Sequence, residues 1–305
     1  MNDYDDPELE QVFEELVRAD SDQSRLGRTL RRTLDQLYDG QRTGRFRWDQ
    51  LYKTEKTHCG TLVEINLQRE FDFADGARLD YLIGGVEVDC KYSQRSGGWM
   101  IPNEAHGQLC LLVTASDTAA LFSAGLVRAR VEWLGLGRNR DAKATLSALG
   151  RSHIRWLAED APLPPNALLD LTEEDLSLIF ASRFGTKRVD ELFRRAQGKV
   201  IGRGVVATVA QQEDYMKRVR GNGGSRSTLK GEGIVIFGQY EAHGRIMKAL
   251  GLPILGRGES MSVRLARCAE GVSWSTHIDG SSWRVATPED PIEEAPDLPR
   301  VSVAS

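Results

Sequence analysis

The stretch Leu79-Asp80-Tyr81-Leu82-Ile83-Gly84-Gly85-Val86-Glu87-Val88-Asp89-Cys90-Lys91 constrains this chain more than any other. Two glycines between strand-like runs predict a two-residue hairpin, because the turns that match the twist of paired strands need positive φ. With Gly84 and Gly85 as the loop, Ile83 pairs with Val86, Leu82 with Glu87, Tyr81 with Val88, and Asp80 with Asp89. A period of two then puts Tyr81, Ile83, Val86, Val88 and Cys90 on one apolar face. Asp80, Glu87, Asp89 and Lys91 share the other.

That register sets two carboxylates directly opposite each other, with Cβ atoms about 4.5–5.5 Å apart. Like charges so placed weaken a hairpin unless a cation lies between them. A hard divalent ion, which prefers oxygen ligands, resolves the conflict, and the carbonyl of Cys90 offers one more oxygen. Lys91 points to the same side, beside such an ion and any phosphate bound to it. The alternative leaves Asp80 and Asp89 facing solvent, or pairs them with Arg78 and Lys91 in a surface network; a bare Asp-x-Lys does not decide. Glu64 also has two readings. Thr61-x-x-Glu64 ahead of an apolar run is a capping box, and spacing alone gives Glu64 that structural role.

The 305 residues are 28% charged and 40% hydrophobic, and 30 glycines bring the apolar share to about half, an ordinary globular composition. Disorder, collagen and coiled-coil arrays are excluded. Apolar runs such as 109–115 fall far short of the roughly 20 residues of a membrane span. The acidic start, Met-Asn-Asp-Tyr-Asp-Asp, lacks the basic region of an export signal, so a cytoplasmic protein is expected. Cys59, Cys90, Cys110 and Cys268 show no CxxC spacing, which predicts free thiols in a reducing compartment.

The net charge of −4 conceals strong segregation. Residues 1–22 carry nine acids against Arg18, for −8. Residues 25–56 carry nine bases against four acids, for +5, and residues 183–230 carry twelve bases against four acids, for +8. The tail, 286–305, returns to −4. Two basic segments suggest two polyanion-facing surfaces; solvated helix faces are the plainer alternative.

Leu9, Val12, Phe13, Leu16 and Val17 recur at helical spacing behind Pro7, and Leu26, Leu30, Leu34 and Leu37 form a second stripe that stops at Asp39-Gly40. A helix opening at Thr61 through Leu67 is expected next. Strands are expected at 79–83, 86–92, 109–114 and 126–133, and a helix at 142–158. Pro162, Pro164 and Pro165 mark a linker. Beyond it, helices are expected at 188–197 and 208–219, then a turn at Gly221-Asn222-Gly223-Gly224 and a strand at 234–237. The proline-rich end predicts an extended or disordered tail.

A Glu, an Asp and an Asp-x-Lys across a hairpin resemble the active site of the PD-(D/E)xK nucleases. More specifically, the chain resembles the NaeI family of type II restriction endonucleases. The likeness is carried by TLDQLYDGQRTGRFRWDQLYKTEKTHCGTLVEINL from Thr33, VDCKYS from Val88, RVDELFRRAQG from Arg188 and ATVAQQEDYMKRVRGNGGSRS from Ala207. It spans roughly residues 30–240. The resemblance implies a two-domain α/β (α+β) chain. A PD-(D/E)xK endonuclease domain with a mixed sheet is expected over 1–160 and a linker over 161–170. A helix-turn-helix domain like that of catabolite activator proteins is expected over 171–287, with an acidic tail over 288–305. It also implies a homodimer that needs Mg²⁺, cleaves double-stranded GCCGGC-type sites to 5′-phosphates and 3′-hydroxyls, and is activated by a second bound DNA copy. A cognate DNA methyltransferase would belong to the same system.

Carried over by motif, Glu64, Asp80, Asp89 and Lys91 form the catalytic set, with Asp80, Asp89, Glu64 and the Cys90 carbonyl around the metal. The resemblance thus moves Glu64 from cap to active-site carboxylate. Leu37-Tyr38-Asp39-Gly40-Gln41-Arg42 resembles the ligase motif K-x-D-G-x-R with Leu in place of the nucleophilic lysine, so no ligase chemistry runs through it. Arg42, Arg45 and Arg47 are DNA-contact candidates in the first basic segment. In the second, Thr208-x-x-Gln211 can cap a helix ending in Lys217, Arg218 and Arg220, with Arg226 in a wing-like loop and Arg194 and Arg195 nearby. Two rivals remain open: a repair or structure-specific nuclease on the same core, and a helix-turn-helix regulator with an inactive nuclease domain.

Overall fold

The computed structural model describes residues 6–135, 137, 143–219 and 223–299, which divide into two compact units. The first holds residues up to Leu37 together with Arg47–Pro165; the second holds Tyr38–Phe46 and the chain from Asn166.

Helices come first: α1 (Pro7–Ala19), α2 (Ser24–Tyr38), the short α3 (Gly40–Thr43) and α4 (Lys53–Phe71). Asp6 caps α1, its carboxylate accepting from the Leu9 amide, and Leu9, Val12 and Leu16 form the buried stripe that the spacing predicts. The α2 stripe is buried too, at Leu26, Leu30, Leu34 and Leu37. Helix α4 begins eight residues before the expected Thr61. Its first turn is closed by Glu55, whose carboxylate accepts from the Tyr52 amide, so Thr61 and Glu64 lie in the helix interior and form no capping box.

A six-stranded sheet in the order β1-β2-β3-β4-β5-β6 follows: β1 (Ala74–Asp75), β2 (Tyr81–Ile83), β3 (Val86–Ser93), β4 (Leu109–Ser116), β5 (Leu121–Arg128) and β6 (Arg155–Pro162). Only β3 and β4 run parallel, so the sheet is mixed. The hairpin register is Ile83 to Val86, Leu82 to Glu87 and Tyr81 to Val88, and Gly84 and Gly85 both hold positive φ (59° and 86°). Two expectations fail here. The strand expected at 126–133 starts earlier, at Leu121, and a 3-10 turn, Val131–Trp133, replaces its end. The helix expected at 142–158 shrinks to α5 (Ala148–Ser152), because the chain from Arg155 is drawn into pairing with β5. The start of that expected helix lies outside the described residues.

The second unit has a helical part and a sheet. Helices α6 (Glu173–Phe180), α7 (Gly185–Arg195), α8 (Arg203–Ala210) and α9 (Ser225–Thr228) pack around Val189, Leu192, Phe193, Ile201 and Val209. An antiparallel sheet in the order β7-β8-β10-β9 comprises β7 (Ile234–Gly238), β8 (Ser260–Arg267), β9 (Ser275–Ile278) and β10 (Ser281–Val285), with α10 (Glu241–Ala249) packed against it. The helix expected at 208–219 does not exist as one element. Thr208 lies in the last turn of α8, Gln211 terminates that helix in the left-handed region, and Tyr215–Val219 is a separate 3-10 segment. The end of the chain has no helix or strand up to residue 299, as expected, but it is packed: Ala295 is buried, its amide donates to the Lys230 carbonyl, and Glu294 and Asp297 pair with Lys230.

Candidate active site

Asp80 stands immediately before β2, Asp89 and Lys91 lie on β3, and Glu64 lies in the middle of α4, which packs against β3. The Asp80 carboxylate accepts from the Cys90 main-chain N–H at 2.6 Å, which ties it across the hairpin. Asp89 is only 4% exposed, because β4 pairs in parallel beside it and sets Cys110 at its level, with the thiol Sγ 3.9 Å from Asp89 Oδ2. The cation between the two carboxylates is the Lys91 ammonium, 2.8 Å from Asp89 Oδ2 and 3.6 Å from Asp80 Oδ2. It also donates to the Cys90 carbonyl at 2.9 Å.

The proton affinities follow from this crowding. Burial pushes Asp89 up to about 6; the Lys91 charge opposes the shift, and Asp80 adds to it. Burial acts to lower the Lys91 pKa, but the facing carboxylates outweigh it and raise the value, so the ammonium stays charged. Glu64 is raised by burial and then by the charge of Asp80, with Lys91 opposing.

Whether these residues suit a divalent ion turns on the donor set. All three atoms that meet the ammonium are oxygens, two of them anionic, which is what a hard cation takes. Among the described residues no three His, Cys, Asp or Glu side chains lie close enough to hold an ion by themselves. The set is therefore two carboxylates and the Cys90 carbonyl, with Glu64 outside the immediate group. It fits a hard cation in chemistry.

The sequence did not foretell two contacts here. Tyr81, fully buried, donates its hydroxyl to the Glu64 carbonyl at 2.8 Å, and the Cys110 thiol faces Asp89. Tyr81 was legible only as an apolar-face residue. Cys110 reaches its place through a parallel pairing that leaves no local signal.

The arginine candidates are dispersed. Arg42 and Arg45 belong to the second unit and Arg47 to the first. Arg194 pairs with Glu232 and Glu191, and Arg195 with Asp175 and Glu191, so both serve helix packing. Arg218 pairs with Asp214, and Lys217 lies 3.4 Å from Asp214 while 62% of its side chain is exposed. Arg226 donates to the Ile236 carbonyl and lies over the Tyr240 ring. Arg220 lies outside the described residues. Much of the positive charge read from sequence is thus answered within the fold.

The ligase-like string has a structural task. Asp39 takes a left-handed conformation, and Gly40 opens α3 against α8. A Cβ on Gly40 would fall inside van der Waals contact of Thr208 Oγ1 and lie 2.7 Å from the Arg45 carbonyl. Gln41 donates to the Gln212 carbonyl at 2.9 Å. Gly40→Ala is therefore expected to destabilise the second unit by about 1–3 kcal/mol in denaturant unfolding. An unchanged midpoint would show that this packing is looser than described.

Two comparisons bear on this geometry. A family model described as restriction endonuclease NaeI matches residues 10–294. The type II restriction enzyme NaeI of Lentzea aerocolonigenes is 48% identical over 305 residues, covering 97% of this chain and 96% of that protein.

Proposed function

The chain belongs to the NaeI family of restriction endonucleases and is a type II, site-specific DNA endonuclease; from that premise we propose that Asp80, Asp89 and Lys91, assisted by Glu64, hydrolyse the phosphodiester with Mg²⁺ as cofactor. One observation carries this reading: three oxygens converge on the ammonium of Lys91 at the hairpin. Asp80, Asp89 and the Cys90 carbonyl would hold the metal, with Glu64 supporting it or its water. When bound, Mg²⁺ supplies Lewis-acid polarisation of the scissile phosphate.

The protein's own groups do the rest. The hydrogen bond from the Cys90 amide fixes the Asp80 carboxylate before any ligand arrives. Lys91, held charged by its two carboxylates, orients the attacking water and offsets the negative charge that develops on phosphorus oxygens. Burial of Asp89 keeps bulk water from screening these charges. The products are 5′-phosphates and 3′-hydroxyls, and the site is a GC-rich palindrome of the GCCGGC type.

We further propose that the second unit binds DNA as a helix-turn-helix module and accepts an activating second copy, in a homodimer. The length of the four-residue connection 181–184 between α6 and α7 supports this reading. Among the described candidate cations, Arg42 and Lys217 are the exposed ones, which favours them for phosphate contact. A plasmid digest in Mg²⁺ tests the whole reading. Discrete fragments with 5′-phosphate ends are expected, and a short duplex carrying the site should accelerate cleavage at a slow site. Smearing would point to a repair-type nuclease instead; discrete cutting without acceleration would remove only the activator.

A further inference from the structure

The Tyr81 hydroxyl reaches from the hairpin to helix α4, and phosphodiester hydrolysis assigns it no proton or ligand role. Tyr81 is fully buried, its ring 5.2 Å from that of Phe73, and its hydroxyl donates to the main-chain oxygen of Glu64 at 2.8 Å. That oxygen sits inside α4, where helical geometry already supplies the N–H four residues on, so the carbonyl does not need a second donor. What the bond does is set position. It joins the residue next to Asp80 to Glu64 itself, and so fixes helix α4 along the hairpin at the one level where both carry active-site carboxylates. The Glu64 carboxylate registers the charge of Asp80, Lys91 and Asp89, so a slide of α4 would change its place in the cluster. We infer that Tyr81 is a positioning residue for the cleavage reaction, holding Glu64 in register with Asp80, Asp89 and Lys91.

This rests on the reading of Glu64 as an active-site carboxylate, and the experiment separates the two. Tyr81→Phe removes one oxygen and keeps the ring. It is expected to weaken Mn²⁺ binding, measured by calorimetry on the full chain, by about tenfold and to lower the cleavage rate constant similarly, as outer-shell losses do. DNA binding should stay unchanged and Tm should fall by no more than about 4 °C. Phe73→Leu, which disturbs the same ring packing without touching the hydroxyl, should lower Tm and leave Mn²⁺ affinity and rate alone. In a Glu64→Gln background, Tyr81→Phe should cost nothing further, because its effect runs through Glu64. Wild-type Mn²⁺ affinity and rate in Tyr81→Phe would overturn the inference. So would an undiminished loss added to that of Glu64→Gln. Full activity of Glu64→Gln itself would overturn the role of Glu64, and this inference with it.

Discussion

Asp89→Ala is expected to keep site-specific DNA binding and to lose Mg²⁺-dependent cleavage by on the order of 10³-fold. Asp89 is the more deeply buried of the two facing carboxylates, and its pKa near 6 shows that burial works against its charge. A group held in an unfavourable state, where an apolar residue would pack at less cost, is what a functional site looks like. The isosteric Asp89→Asn should therefore unfold at the wild-type temperature or above it, although it too is inactive. Gel-shift titration, single-turnover cleavage and thermal melts on the two variants check all three statements. Full cleavage by Asp89→Ala would remove Asp89 from the site, and a collapse of Tm would assign it a structural role instead.

Lys91→Met is expected to lower the cleavage rate by about 10²–10³-fold, since it deletes the cation placed against both carboxylates while keeping the length of the stem. It has a second consequence, with a definite sign. The Lys91 charge pulls the Asp89 pKa down against burial and against Asp80. Without it the Asp89 pKa rises above its value of about 6. A divalent ion takes the deprotonated carboxylate, so Mn²⁺ affinity in the wild type falls as pH drops through about 6, and in Lys91→Met it falls at higher pH. Calorimetric titration between pH 5 and pH 8 reads the displacement. An acid limb that stays in place would mean that Lys91 and Asp89 are not coupled.

How much of this was legible in the sequence depends on how local each signal is. The Gly-Gly turn and three of the four expected hairpin pairs were readable, because turn and alternation both act within a dozen positions and agree; the ladder stops at Tyr81 and Val88, and the Asp80 carboxylate accepts from the Cys90 amide instead of pairing with Asp89. The burial of Asp89 was not. It comes from β4, which pairs in parallel with β3, and no property of the strand itself names a parallel partner. Spacing alone read Thr61-x-x-Glu64 as a capping box because the early turns of α4, from Lys53, are polar, which hid the true start at Tyr52 and Glu55. The DNA-facing helix expected at 208–219 failed for the opposite reason. Helix α8 is buried at every position from Val205 to Ala210, so it carries no polar face to mark its end. The capture of Tyr38–Phe46 by the second unit was invisible, since Asp39-Gly40 reads as an ordinary turn and its neighbour Thr208 lies far along the chain. Charge segregation was real in the sequence, but the carboxylate partners were not legible in it: Arg194, Arg195 and Arg218 pair with Glu232, Asp175 and Asp214.

We propose that Asp80, Asp89 and the Cys90 carbonyl, beside Lys91, hold the catalytic metal. Fe²⁺ bound in place of Mg²⁺, with peroxide and ascorbate, cuts the polypeptide where the metal sits. Scission is predicted next to Asp80 and within 88–91, suppressed by excess Mg²⁺ and absent from an Asp80→Asn/Asp89→Asn double variant. Scission confined to other segments, or unchanged in the double variant, would contradict it.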